Sequence, residues 1–268
     1  MIKSNRTREV LVVKYYNKLL KYGCFTWEEL CMLVGNDKTA ETLARSYIKK
    51  GYIAKVRRGL YVAVDLLTKD SVVSKFRIGS KITPSSYISH HAALEYYGCA
   101  NQVSYQVEVS SSSVFSSFDY ADFTYYYLNS RINDGITTSV DGVRVTDIER
   151  TIIDNLNDFE KIMGLEELLR CLTLVPLVQE AKLLDYLKSY NKQYLYQKAG
   201  YILFHYKDMW NLSDDFFHHC ESRVGKSKRY LIKPTDNSKI VYNRQWKLIT
   251  PVDLMRILEK GVTEDADI

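Results

Sequence analysis

Residues 37–62 read DKTAETLARSYIKKGYIAKVRRGLYV, and this stretch decides the fold of the first part of the chain. Asp37 is an N-cap candidate, because its carboxylate can accept from the unpaired amides of a first helical turn. Ala40, Leu43, Ala44, Tyr47 and Ile48 follow the spacing of one buried helical face. Lys38, Thr42, Arg45 and Lys49 fall on the opposite side, flanked by Glu41 and Ser46. Gly51 stops the helix, as a residue free to take positive φ can. Tyr52 to Val56 then reads as a strand, Arg57-Arg58-Gly59 as a turn and Leu60 to Val62 as the returning strand. A helix of this width fits the major groove of B-DNA, and a basic hairpin tip beside it can reach phosphates. The DNA-contacting set expected is Lys38, Thr42, Arg45, Ser46, Lys49, Lys50, Lys55, Arg57 and Arg58. The plainer alternative is a solvated amphipathic helix followed by a surface hairpin.

The residues upstream supply the rest of a winged helix-turn-helix. Arg6 to Tyr22 reads as a first helix with Leu11, Tyr15 and Leu19 on its buried stripe, and Gly23 ends it. Thr26-Trp27-Glu28-Glu29 is a capping box that opens a second helix running to Val34. Gly35-Asn36 turns the chain into the third.

Charge is distributed to match. The net charge of +5 is modest, but residues 1–64 carry 13 Lys/Arg against 5 Asp/Glu, and residues 65–222 carry 14 against 21. Residues 223–247 are basic again, 8 against 1 (Asp236), and the last 21 residues are acidic. Two surfaces are therefore candidates for meeting a polyanion. The second is centred on Arg223, Lys226, Lys228 and Arg229, which read as an exposed loop able to grip flanking phosphates, or as a solvated basic loop. The five cysteines are odd in number and widely spaced with no C-x-x-C, which argues for buried thiols in a reducing compartment. No signal peptide or apolar run of membrane-spanning length is evident, so a cytoplasmic location with no membrane partner is expected.

At 268 residues the chain is long enough for two domains. The expected fold class is α+β: a winged helix-turn-helix over residues 1–68, then a larger mixed α+β domain over 69–268. Residues 65–82 read as a mostly helical connection and Ser86 to Tyr97 as a helix. Strands are expected around Tyr105–Val109 and Phe123–Leu128, and Asp141-Gly142 carries the signature of a tight hairpin. Thr146-Asp147-Ile148-Glu149 is a second capping box, starting a helix on which Arg150 and Asp154 lie one turn apart. Helices follow over Leu165–Leu172, Val178–Lys188, Tyr194–His205 and Ser213 to Arg223. Short strands at Tyr230–Ile232, Ile240–Tyr242 and Trp246–Ile249 precede a terminal helix from Pro251 to about Glu259. The strands are expected mostly in hairpins.

Three segments in this order resemble the AbiEi-type antitoxins of bacterial abortive-infection toxin–antitoxin systems. They are Lys50-Gly51-Tyr52-Ile53 with Arg58-Gly59-Leu60-Tyr61, then Tyr87 to Gly98 (YISHHAALEYYG), then Val145 to Asp154 (VTDIERTIID), the most specific of the three. The resemblance covers most of residues 5 to 200. It implies a DNA-binding autorepressor acting on its own operator, with repeated half-sites. It also implies a larger domain that neutralises a cognate nucleotidyltransferase-like toxin without a stable complex between them. Antitoxin activity comes from the family alone, since function is carried by sites and not by folds.

An enzyme is the competing class, a nuclease-like protein targeted by the same N-terminal module. Its signals are thin. Glu108 with Ser110 lacks the Lys that a magnesium-dependent nuclease would place nearby. His205, His218, His219 and Cys220 are ligand types for zinc, but adjacent histidines face different sides of a helix. His90-His91 reads as a helix surface or a satisfied core pair. No phosphate-binding glycine loop is present. No metal, cofactor or catalytic residue is therefore expected, and Arg150 with Asp154 reads as a structural ion pair.

Overall fold

The structure, a computed structural model, describes residues 15–233 and 239–258. Helix α1 occupies residues 15–22, and the part of the expected first helix from Arg6 to residue 14, with Leu11, lies outside the described residues. Gly23 ends it at φ +65°, and a Cβ there would stand 2.3 Å from Val73 Cγ1, so both the backbone and the close packing require glycine. A short strand that the sequence pattern does not signal, β1 (Cys24–Thr26), leads into α2 (Trp27–Val34). The Thr26 capping box is made: the Glu29 amide donates to Thr26 Oγ1 at 3.3 Å and the Thr26 amide to Glu29 Oε2 at 2.8 Å. Helix α3 (Asp37–Lys49) is capped by Asn36, whose side chain accepts from the Thr39 amide, one residue earlier than expected. Asp37 instead becomes the first helical residue, where its charge suits the positive end of the helix.

Strands β2 (Ile53–Arg57) and β3 (Leu60–Ala63) form the hairpin, and β1 completes a three-stranded sheet in the order β1-β3-β2. Leu19, Phe25, Leu30, Ala40, Ala44, Tyr47 and Ile53 make one buried core beneath it. This is the winged helix-turn-helix arrangement, and a larger α+β part follows it.

Residues 65–82 are mostly irregular, with a single short helix, α4 (Lys75–Gly79). Helix was also expected at Ser86, but Tyr87–Ile88 is strand β4, paired antiparallel with β5 (Gln106–Ser111), and only His90–Tyr96 is helical, as α5. Strands β6 (Phe118–Tyr120), β7 (Phe123–Asn129), β8 (Ile136–Thr138) and β9 (Arg144–Thr146) complete a six-stranded sheet ordered β6-β7-β5-β4-β9-β8. Strands β5 and β7 run parallel, against the expectation of hairpins. Helices α6 (Ile148–Ile162), α7 (Gly164–Leu174), α8 (Glu180–Tyr190), α9 (Gln193–Phe204), α10 (Lys207–Trp210) and α11 (Asp214–Ser222) follow. They surround a second core that includes Ile153, Leu156, Leu169, Leu187, Ile202 and Trp246. The last sheet is ordered β10-β12-β11, with β10 (Arg229–Tyr230) parallel to β12 (Leu248–Pro251) and β11 (Ile240–Asn243) antiparallel to it. Pro251 ends a strand, helical residues appear only at 256–258, and Glu259 lies outside the described residues, as does Asp236.

The chain divides into two compact units. The first holds residues 1–88, 105–129 and 138–144; the second holds 89–104, 130–137 and 145–268. The boundary expected at residue 68 falls inside the first unit. Residues beyond it support the winged module: Lys81 pairs with Glu29 at 2.7 Å, and the Val72 amide donates to Ala63 O at 3.1 Å. Among the described residues no helix is long and apolar enough to cross a membrane.

Candidate nucleic-acid interface

Helix α3 separates its two jobs by face. Ala40, Ala44 and Tyr47 are buried, while Lys38, Thr42, Arg45 and Lys49 are exposed. Ser46 is half-buried at the margin, and Lys50 is exposed just past the helix end. Ile48, expected in the buried stripe, is 41% exposed, because Ala40, Ala44 and Tyr47 centre the stripe and leave position 48 at its edge. Thr42 Oγ1 donates to the Lys38 carbonyl at 3.0 Å, an in-helix bond that a base or phosphate acceptor could replace. Arg45 carries a partner that the basic stripe did not suggest. Its Nη2 lies 2.6 Å from Glu41 Oε1, with the two side chains 79% and 55% exposed. The i,i+4 spacing explains the pair, and its exposure makes it weak. The exposed face thus offers Lys38, Arg45, Lys49 and Lys50 as cations and the Thr42 hydroxyl, with Glu41 as the acid beside them.

The hairpin places its two arginines differently. Lys55 and Arg58 are exposed, and Gly59 takes φ +81° to close the turn. Arg57 is half-buried, its guanidinium carbon 4.9 Å from the Phe118 ring centroid and 5.6 Å from that of Phe115. Its Nη1 is buried with no hydrogen-bond partner. The register shift between Lys55 and Arg57 accompanies this turn away from the tip, as a bulge re-aims a side chain. Gly59 O also accepts from the Trp27 amide at 2.9 Å, which ties the tip to the start of α2. Arg58 is left as the arginine that stands free at the tip.

The second basic segment is exposed at Arg223, Lys226, Lys228 and Arg229, yet it is not a loose loop. Lys247 Nζ donates to Gly225 O at 3.0 Å, Gln197 Nε2 to Ser227 O at 3.3 Å, and Tyr194 Oη to Tyr230 O at 2.6 Å. Lys228 Nζ stands 4.8 Å from the centre of the Tyr242 ring.

Buried polar residues of the second unit are gathered into clusters, in which Asp154 Oδ2 and His90 Nε2 are left without a hydrogen-bond partner. Asp147, not Thr146, caps α6, accepting from the Arg150 amide at 2.8 Å. The expected capping box does not form, because Glu149 is buried and accepts from the Gln179 amide at 2.8 Å. Arg150 and Asp154 do pair, at 2.6 Å with both side chains almost fully buried. Arg150 Nη1 also donates to Ile132 O at 3.2 Å and Asp134 O at 2.6 Å, and the Tyr190 hydroxyl donates to Asp154. Burial and the Asp154 charge push the Tyr190 hydroxyl well above its ordinary range. His90 Nε2 stands 3.6 Å from Asp158, which Arg131 also reaches at 3.2 Å. Burial alone would raise the Asp158 carboxyl, but His90, Arg131 and Asn157 outweigh it and hold it at about 2.

His205, His218, His219 and Cys220, the zinc-ligand types of the sequence, do not converge on one point among the described residues. The donor types that do converge are His91, Glu167 and Cys171, whose ligand atoms lie within 4.8 Å of one another. Glu167 is their hub, accepting from His91 at 3.1 Å, Cys171 at 3.2 Å, and Asn101 and the Gln102 amide at 3.2 Å each. Burial raises the Cys171 thiol to about 12, so it sits there as a hydrogen-bond donor. All five cysteines are free, and four are buried.

No family model matches the sequence, and no curated protein matches it. Among solved structures, the crystal structure of the RV2827C protein from Mycobacterium tuberculosis superposes with a TM-score of 0.64 at 11% identity, over 92% of this chain and 93% of that one. At that identity the likeness is one of fold: the winged helix-turn-helix and the larger α+β part belong to an architecture that the mycobacterial protein shares along nearly its whole length.

Proposed function

We propose that the chain is a sequence-specific DNA-binding repressor of its own promoter and the antitoxin of a bacterial abortive-infection pair, counteracting a nucleotidyltransferase-like toxin. The observation that carries the DNA-binding half is the exposed row Lys38, Thr42, Arg45 and Lys49 on a helix whose opposite face is buried. A helix presented this way can enter a major groove, with Arg45 able to read a guanine edge and Lys38 and Lys49 to meet phosphates. Lys50, Lys55 and Arg58 extend the same charge toward the hairpin. Arg57, held on two phenylalanine rings, contributes to the fold of the module and not to the DNA surface. The antitoxin half rests on the resemblance of Val145–Asp154 and Tyr87–Gly98 to the antitoxin family. In this reading Arg150, Asp154 and Asp158 stiffen the domain that acts against the toxin, and no residue is catalytic.

Two measurements test the two halves separately. Full-length protein titrated against the DNA upstream of its own gene should bind far more tightly than to scrambled DNA of equal length, with repeated half-sites protected in a footprint. Co-expression with the product of the adjacent gene should restore growth that this product alone arrests. Equal affinity for both DNAs sinks the repressor reading, and unrestored growth sinks the antitoxin reading. Metal-dependent cleavage of nucleic acid by the pure protein would favour the nuclease class instead.

A further inference from the structure

The small β10-β12-β11 sheet of the second unit has a face that the proposed function leaves unused. Its register decides which side chains share that face. Tyr230 of β10 and Tyr242 of β11 both lie opposite Ile249 of the central strand. Directly paired residues project to the same side, and residues two apart along a strand do so as well. Ile240 therefore joins Tyr230, Ile249 and Tyr242 on one face. The flanking positions of the central strand, Leu248 and Thr250, are buried and mark the opposite face as the inner one. Tyr230 is 49% exposed, Tyr242 36% and Ile240 42%. Lys228, two residues before Tyr230, shares the outer side, as its 4.8 Å distance from the Tyr242 ring centre confirms. Arg229 is exposed on the same edge strand, but it lies opposite Leu248 and so projects to the other side.

The platform is built firmly. Gly200 allows the Trp246 ring to lie directly on α9, where a Cβ would stand 2.0 Å from it. Gln197, buried on the same helix, bonds to Trp246 O at 3.0 Å and to Ser227 O, and Tyr194 bonds to Tyr230 O. Residues 223–247 hold 8 basic residues against a single acid. A surface that combines exposed aromatic rings with a cation beside them, in so basic a segment, matches a ligand that alternates planar bases with phosphates. The rings stand on neighbouring outer strands of a three-stranded sheet, roughly 10 Å apart at the usual strand spacing, so two bases can be held together. Stacked bases inside a duplex offer no free faces to such rings, whereas unpaired bases do.

We infer that the outer face of the β10-β12-β11 sheet binds single-stranded nucleic acid, stacking unpaired bases on Tyr230 and Tyr242 and taking a phosphate on Lys228. Its ligand differs from the duplex met by α3, so its failure leaves the repressor reading intact. The test uses full-length protein and fluorescence anisotropy with labelled oligouridylate and oligothymidylate of about ten nucleotides, and with a duplex of unrelated sequence. Single strands should bind more tightly than that duplex. Tyr230→Ala and Tyr242→Ala should each weaken them by roughly 5- to 150-fold. Lys228→Glu should flatten the dependence of log K on log salt by about 0.7 for one lost phosphate contact. Tyr230→Phe and Tyr242→Phe keep the ring and should bind like the parent, which separates stacking from damage to the sheet. A preference for RNA over the thymidylate would name RNA as the ligand, and equal binding would name any unpaired strand; both support the inference. It is overturned if the duplex competes equally, if the tyrosine-to-alanine variants bind like the parent, or if Lys38→Ala/Arg45→Ala/Lys49→Ala abolishes single-strand binding while Tyr230→Ala/Tyr242→Ala does not.

Discussion

Glu41 offers the sharpest probe of the α3 surface, because on the proposed reading its removal should strengthen DNA binding. Its carboxylate holds the Arg45 guanidinium at 2.6 Å, so Arg45 must leave that pair before it can address a base. An exposed i,i+4 pair of this kind is worth about 0.3–0.5 kcal/mol. The Glu41 charge, if it stays about 8 Å from a phosphate in a water-like dielectric, repels it by about 0.5 kcal/mol more. Glu41→Gln should therefore tighten operator binding by about 1 kcal/mol, close to fivefold, and Arg45→Ala should weaken it by about 1–3 kcal/mol. Both side chains are largely exposed, so neither change should move stability by more than about 0.5 kcal/mol. Anisotropy titrations at about 100 mM salt, beside melting curves of each variant, measure both effects. The reasoning is refuted if Glu41→Gln weakens binding, or if both variants bind within twofold of the parent while melting normally.

Four further outcomes follow from the geometry. Arg58→Ala should flatten the salt dependence of operator binding by about one unit, whereas Arg57→Ala should leave the slope alone and lower stability by about 1–2 kcal/mol as its stacking on Phe115 and Phe118 is lost. Arg150→Met should cost about 3–5 kcal/mol in urea unfolding, since it strands a buried Asp154, and Arg150→Met/Asp154→Leu should recover most of that loss. Because the Asp158 carboxyl is held at about 2, below its unfolded value, it adds stability above about pH 4 that fades as the pH falls toward 2. With solvent screening that contribution is about 1–2 kcal/mol, so the Asp158→Asn variant should show a flatter acid limb in pH-dependent melting. Gly200→Ala should destabilise by about 1–3 kcal/mol through its clash with Trp246, seen as a shift in tryptophan emission.

Local chemistry made the winged module readable and left its long-range contacts hidden. The Thr26–Glu29 box, the α3 stripe and the hairpin all depend on residues within one or two turns, so spacing alone places them. Arg57 could not be located that way, because the rings that hold it lie about 60 residues further along the chain. The same limit explains Tyr87–Ile88, whose helical-looking neighbourhood yields to pairing with Val109 and Ser110. The second capping box failed for a related reason: Glu149 has a better partner in the distant Gln179 amide than in its own helix start. The basic stripe of α3 is legible from spacing, whereas the pairing of Glu41 with Arg45 depends on which rotamers the two exposed side chains adopt. In the basic segment, charge density was visible in the sequence. The alignment of Tyr230 and Tyr242 opposite one residue of a third strand was not.

The division of α3 into a buried and an exposed face has an evolutionary corollary. Lys38, Thr42, Arg45 and Lys49 take no part in the core formed by Ala40, Ala44 and Tyr47, so substitutions at the former carry little penalty in folding. On the proposed reading, these four positions can drift to match a new operator while the second unit stays unchanged. Duplicated copies of such a gene within one genome could then acquire separate promoters by a few surface substitutions, insulating each circuit from its sister before anything else in the protein diverges.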